Sequence, residues 1–256
     1  MHRRFQNLYD AFPMSAEFSK FDPFDFWFCI VLETAGVVGL VVALPLRPPD
    51  PLLVRFCVGA AFYSLLTAGI VGWLSPRSDI LVFPLFGDWW RGRFLVKKAA
   101  ARLAGAAGVG ITNCYLARSY AAAVKNWSSG TLPKHHSRPD VLAIVSSTIL
   151  EEILFRAIIL VGLVVLFRWA SKFFPNRSQV GIFWSGNLLQ ALIFGAAHLA
   201  IGVGIPYGSP WYIRLFLSPQ TWSGLLLGWI YSKYGLESAI VCHATYDLSF
   251  RVLRLL

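Results

Sequence analysis

Ser147-Thr148-Ile149-Leu150-Glu151-Glu152-Ile153-Leu154-Phe155-Arg156 sets two adjacent carboxylates and a guanidinium inside an apolar run from Val141 to about Phe167. That run reads as a membrane-spanning helix, because roughly 20 predominantly apolar residues are enough to cross a bilayer. Ionised groups at that depth cost on the order of a few kcal/mol each, and they persist when paired or when lining a wet cavity. Arg156 follows Glu152 by one helical turn, about 40° round the helix at about 100° per residue. The two side chains therefore pair along one face, in the favourable order of acid before base. Glu151 lies about 100° from Glu152 and about 140° from Arg156, which makes it the freer carboxylate. A buried ion pair that sets helix packing accounts for Glu152 and Arg156 but leaves Glu151 without a task. Intramembrane ionisable residues are functional by default.

The whole chain has the same character. Its 256 residues are 56% hydrophobic and 14% charged, with a mean hydropathy of +0.58. Soluble domains carry about 25% charged residues, so the expectation is an all-α, multi-pass transmembrane bundle of about six to eight membrane helices. The formal net charge is +10, with basic residues mostly at the ends of apolar runs, as headgroup anchoring and the positive-inside bias require. The implied partner is the lipid bilayer of a cell membrane, with no nucleic acid. Trp89, Trp90, Trp169 and Trp211 beside those charges suit interfacial belts. Cys29, Cys57, Cys114 and Cys242 are scattered and form no CxxC pair, so neither a disulfide framework nor a thiolate zinc site is indicated.

Taken in order, residues 1–26 read as an amphipathic segment lying at the membrane surface, and spans follow over about Asp25–Leu46 and about Leu52–Leu74. Ile80–Lys98 reads as a second surface segment. A span over about Ala99–Leu116 carries Gly105, Gly108 and Gly110, small residues that permit close helix approach. His135-His136, in the polar connection Arg118–Asp140, reads as solvated loop. Beyond the glutamate helix come a helix over about Val180–Ile201, a Gly- and Pro-rich loop over 202–219, and a helix over about Gln220–Tyr234 with Gly224-x-x-x-Gly228. Gly235-Leu236 breaks that helix, and a final one over about Glu237–Leu253 carries His243 and Asp247. The division is residues 1–140, N-terminal membrane helices and interfacial segments, and residues 141–256, a helical core with the chemistry, in one membrane unit. The active site is expected between helices of the C-terminal half.

A single histidine on an apolar helix is ordinarily a packed, hydrogen-bonded residue. Here His198 and His243 join the glutamate pair on three separate helices. His243 and Asp247 share a helical face, as do Phe194 and His198. Inward polar residues on three bundle helices imply one cavity. A buried carboxylate there can deprotonate water, and an imidazole can hold the water or meet charge developing on a substrate oxygen. Neither a Gly-x-Ser-x-Gly elbow nor an HExxH motif is present. No cofactor is expected. Glu151, His198 and His243 would be the set for a divalent metal such as zinc, a two-His, one-carboxylate site; the spacing neither requires nor excludes it.

Glu151-Glu152-x-x-x-Arg156, Phe194-x-x-x-His198 and His243-x-x-x-Asp247 resemble the three motifs of the CPBP intramembrane proteases, which include the type II CAAX prenyl proteases and bacteriocin-processing and immunity proteins. The segment from Gly224 to His243 resembles the family's approach to its last motif. The resemblance covers about Val141 to Phe250 and departs at Asp247, where the family often has Asn. It implies an intramembrane endopeptidase acting on a protein or peptide in or at the membrane, prenylated or not. By that similarity Glu151 and His198 would activate water, His243 and Asp247 would stabilise the oxyanion, and Glu152 and Arg156 would organise the site. A non-catalytic immunity or scaffold protein of the same fold is the alternative. Oligomeric state is not legible.

Overall fold

A computed structural model describes residues 22–43, 51–78, 80–125, 141–171, 178–199 and 218–255, which are helical almost throughout. The surface segment before residue 22, His135-His136 and most of the loop over 202–219 lie outside the described residues. Helix α1 runs Pro23–Ala43 and α2 runs Pro51–Ser78. The carboxylate of Asp22 accepts the N–H groups of Phe24 and Asp25 at 2.9 and 3.2 Å, capping α1 ahead of a proline in its first turn. Helix α2 passes through Ser75-Pro76-Arg77, the expected stop, and ends at Ser78. Pro76 has no N–H for the carbonyl of Gly72, and that carbonyl accepts the Asp22 N–H at 3.0 Å instead. The Ser75 hydroxyl donates to Asp25. The end of α2 is thus tied to the start of α1. Midway along the pair, the fully buried carboxylate of Glu33 lies 2.5 and 2.6 Å from the Thr67 hydroxyl, a polar contact that joins the two helices.

Helix α3 (Pro84–Trp90) is the short surface helix, and α4 spans Val96–Lys125, longer than the apolar run alone required. Ala106, Gly110, Cys114 and Ala117 are buried along one stripe of α4. At Gly110 a Cβ would collide with the Cys242 carbonyl and the Thr245 hydroxyl of the last helix, whereas Gly105 and Gly108 face open space. One glycine of the three permits the close approach. Gly110→Leu is expected to force these helices apart at about 1–3 kcal/mol, visible as a lower melting temperature; Gly108→Leu should leave the melt unchanged.

The glutamate stretch forms one continuous helical run: α5 (Val141–Glu152), a π-helical segment (Ile153–Leu160) and α6 (Val161–Ser171). Helix α7 (Gln179–Leu199) packs on α8 (Pro219–Tyr234) through the two glycines singled out in the sequence. A Cβ at Gly224 would press on Ala191 and Phe194, and one at Gly228 on Asn187. Gly235, at φ 85°, makes the break that L side chains rarely adopt, and α9 (Leu236–Leu255) follows. Its Glu237 accepts the Leu85 and Phe86 N–H groups at 3.1 Å each, and the Leu236 N–H reaches the Val82 carbonyl at 2.8 Å. The α8–α9 corner therefore sits on the first turn of α3.

Among the described residues, three stretches are long and apolar enough to cross a membrane: Pro23–Val42, Cys57–Ser78 and Gln179–His198. Large apolar side chains such as Trp27, Val31, Phe62 and Leu65 project outward from them, as lipid contact requires. The other long helices are less uniformly apolar: α4 carries Lys97, Lys98 and Arg102 in its first turns, and the π segment divides the glutamate run.

Candidate active site

Glu152 is the last residue before the π segment, and Arg156 lies within it. The Val161 N–H reaches the Arg156 carbonyl, the five-residue spacing of a π turn, a distortion frequent at functional sites. Local periodicity indicates only helix here, so the distortion has no sequence signal. The expected ion pair is present, with Arg156 Nε 3.2 Å from Glu152 Oε2 and both side chains fully buried. The guanidinium also lies over the Phe194 ring, 4.7 Å from its centroid, a cation–π contact.

A second partner for Glu152 comes from α9. His243 Nδ1 donates to Glu152 Oε1 at 2.7 Å, so the carboxylate is held between a guanidinium and an imidazole. The helical spacing pairs Glu152 with Arg156 and sets His243 on one face with Asp247, and gives no sign of a contact between Glu152 and His243. In the structure, His243 Nε2 and Asp247 Oδ2 are 3.7 Å apart, beyond hydrogen-bonding distance. Glu152 orients the ring, and Asp247 lies beside its other edge.

Glu151 is the freer carboxylate here too. Its side chain is 36% exposed against 0% for Glu152, and its Oε2 faces His198 Nε2 at 3.8 Å. His198 is oriented from behind, since its Nδ1 donates to the Phe194 carbonyl at 2.7 Å. That bond leaves Nε2 of the neutral ring as an acceptor. Two acceptors 3.8 Å apart, too far for a direct hydrogen bond, suit one bridging water. Phe194 carries both histidines, with ring centroids 4.4 Å from His198 and 5.9 Å from His243.

Glu151, His198, His243 and Asp247 line one cavity of about 90 Å³, polar and large enough to admit water. Glu152 and Arg156 stand behind His243. All six residues chosen from the sequence are therefore brought together. The cavity has further walls that sequence reasoning passed over: Asn113 from α4, Gln220 and Ser223 from α8, and Cys242 and Tyr246 from α9. The available signal was a polar side chain on an otherwise apolar helix. Among the described residues, no three His, Cys, Asp or Glu side chains are gathered to hold a metal ion.

Residues 140–249 match the Rce1-like family of type II CAAX prenyl endopeptidases. This agrees with the resemblance to CPBP intramembrane proteases. The Rce1-like stretch contains Glu151, Glu152, Arg156, His198, His243 and Asp247, while Asn113 lies outside it. No curated protein and no solved structure matches the chain. The match covers under half of the chain, and helices apolar enough to span a membrane lie on both sides of residue 140; together they make this an integral membrane protein.

Proposed function

We propose that this protein is a multi-pass intramembrane endopeptidase that hydrolyses a peptide bond in a membrane-associated protein, with lipidated CAAX-type tails as the substrate class. The observation that carries it is the Glu151–His198 pair, two acceptors facing each other across a cavity that opens to Glu151 while Glu152 is consumed by structure. A water between them donates one hydrogen to each. Glu151 takes the proton as the water oxygen bonds to the carbonyl carbon, and the carbonyl π pair moves to its oxygen. His243, with a proton on each ring nitrogen, would keep Nδ1–H on Glu152 and offer Nε2–H to that oxyanion, with Asp247 alongside. When the intermediate collapses, the C–N bond breaks and the leaving amine takes the proton held by Glu151. Burial of Arg156 against Glu152 favours these roles, because it leaves Glu151 as the carboxylate free for chemistry.

The test is the purified full chain in liposomes with a peptide ending in a farnesylated CAAX sequence, beside its unlipidated counterpart, with mass spectrometry locating the cut. Cleavage of the farnesylated peptide is expected; no cleavage of either would refute the proteolytic reading in favour of a non-catalytic membrane protein. Each named residue already has a task without a metal ion, so activity should survive prolonged strong chelation. Loss of activity on chelation, restored by zinc, would mean that Glu151, His198 and His243 are metal ligands.

A further inference from the structure

We infer that Asn113, on the helix that precedes the matched segment, is a catalytic residue that donates a hydrogen bond to the oxyanion, held in place by Ser223. The inference rests on the proteolytic reading and adds a group to its site.

A forming oxyanion needs preorganised donors, and the carboxylates and imidazoles of this cavity have few to spare. Glu151 and Asp247, when ionised, only accept. His198 spends its Nδ1 proton on the Phe194 carbonyl, and His243 spends its Nδ1 proton on Glu152, which leaves only its Nε2–H for the oxyanion. Asn113 Nδ2 donates to Ser223 Oγ at 2.8 Å, which uses one of the two amide hydrogens and leaves the second. Ser223 is 5% exposed and, having accepted from Asn113, retains its own hydroxyl hydrogen. Both residues line the cavity with Glu151, His198 and His243. The pair is thus a neutral, oriented source of N–H and O–H beside the carboxylates and imidazoles of the site.

The fold delivers this amide by design of the α4–α9 contact. Gly110, one turn before Asn113, lies against the Cys242 carbonyl and the Thr245 hydroxyl, so closely that no Cβ fits. The Thr245 hydroxyl is 3.3 Å from the Ala107 carbonyl. That packing registers α4 on the very turn of α9 that carries His243. As the water oxygen attacks, the electron pair displaced from the carbonyl lands on an oxygen met by Asn113 Nδ2–H, a charge-assisted bond absent in the ground state.

The experiment measures cleavage of the farnesylated CAAX peptide by the full chain in liposomes, for wild type, Glu151→Gln, Asn113→Ala, Asn113→Asp and Ser223→Ala. Asn113→Ala should lower kcat by about 10²–10³-fold, the loss seen when one oxyanion donor is removed, with KM little changed. Asn113→Asp, of the same shape but without the donor, should fall as far. Affinity for a peptide aldehyde, whose hydrate mimics the tetrahedral intermediate, should drop in parallel with kcat, while affinity for the uncleaved substrate peptide in the Glu151→Gln background should not. Asp247→Asn, which adds an amide to the same cavity, should restore part of the activity of Asn113→Ala. If Asn113→Ala does not fold, Asn113→Ser is read by the same two affinities. A variant that melts lower but keeps wild-type kcat per folded molecule would make Asn113 structural and overturn the inference alone. Wild type that fails to cleave overturns the proteolytic reading beneath it, and Glu151→Gln that cleaves normally overturns the base role given to Glu151.

Discussion

Glu151→Gln is expected to fold as wild type does and to lose about 10²–10⁴-fold in cleavage rate, the usual contribution of a positioned general base. Gln keeps the size and the hydrogen-bonding reach of the side chain but takes no proton. The side chain is half-open to the cavity, and its ion-pair partner among the described residues is the polar neighbour His198 at 3.8 Å. Removing its charge therefore strands no buried cation. The measurements are the cleavage rate of the farnesylated peptide and the melting temperature in detergent, taken on one preparation. Wild-type cleavage by this variant would hand the base role to His198 alone. An unchanged rate in His198→Ala would instead remove the histidine from the water-activating pair.

Glu152→Gln is expected to do the opposite, damaging the fold first. Its charge faces Arg156 at 3.2 Å with no exposure on either side, and it accepts the His243 Nδ1 proton at 2.7 Å. Among the described residues, the terminal guanidinium nitrogens of Arg156 have no hydrogen-bond partner, so little besides Glu152 and the Phe194 ring compensates that charge. Breaking a buried pair from one side costs about 3–5 kcal/mol, most of it the stranded partner. The readouts are the yield of monodisperse protein and the melting temperature, set beside those of Glu151→Gln. Removing both charges, as Glu152→Leu with Arg156→Met, should recover much of the lost stability, because apolar replacement of a whole buried pair is often neutral or better. Cleavage should not recover, since His243 has lost the acceptor that orients it. Equal folding losses in Glu151→Gln and Glu152→Gln would overturn the division of labour between the two glutamates.

Much of this was open to reading along the chain. Charge inside an apolar run is expensive wherever the helix sits, so Glu151, Glu152, Arg156, His198, His243 and Asp247 stand out by local composition alone. The face that unites Glu152 with Arg156, the break at Gly235 and the small-residue packing face of Gly224 and Gly228 follow from helical geometry and residue size. What local pattern could not convey was which helices become neighbours. The small residues of α4 mark no single face as inward, since Gly105 and Gly108 face open space while Gly110 is packed, so local pattern could not reveal that α4 lies on α9. The second partner of Glu152 is 91 residues away at His243, and Asn113 meets Ser223 across 110 residues. The Asn113 contact goes with an approach of α4 to α9 that leaves no room for a Cβ at Gly110. The π segment is a tertiary decision as well, since it exchanges one backbone hydrogen-bond pattern for another with the same residues. Sequence determined which side chains cannot be left in lipid; the packing of the helices decided which of them touch, because the partners of a buried charge are chosen by distance in space.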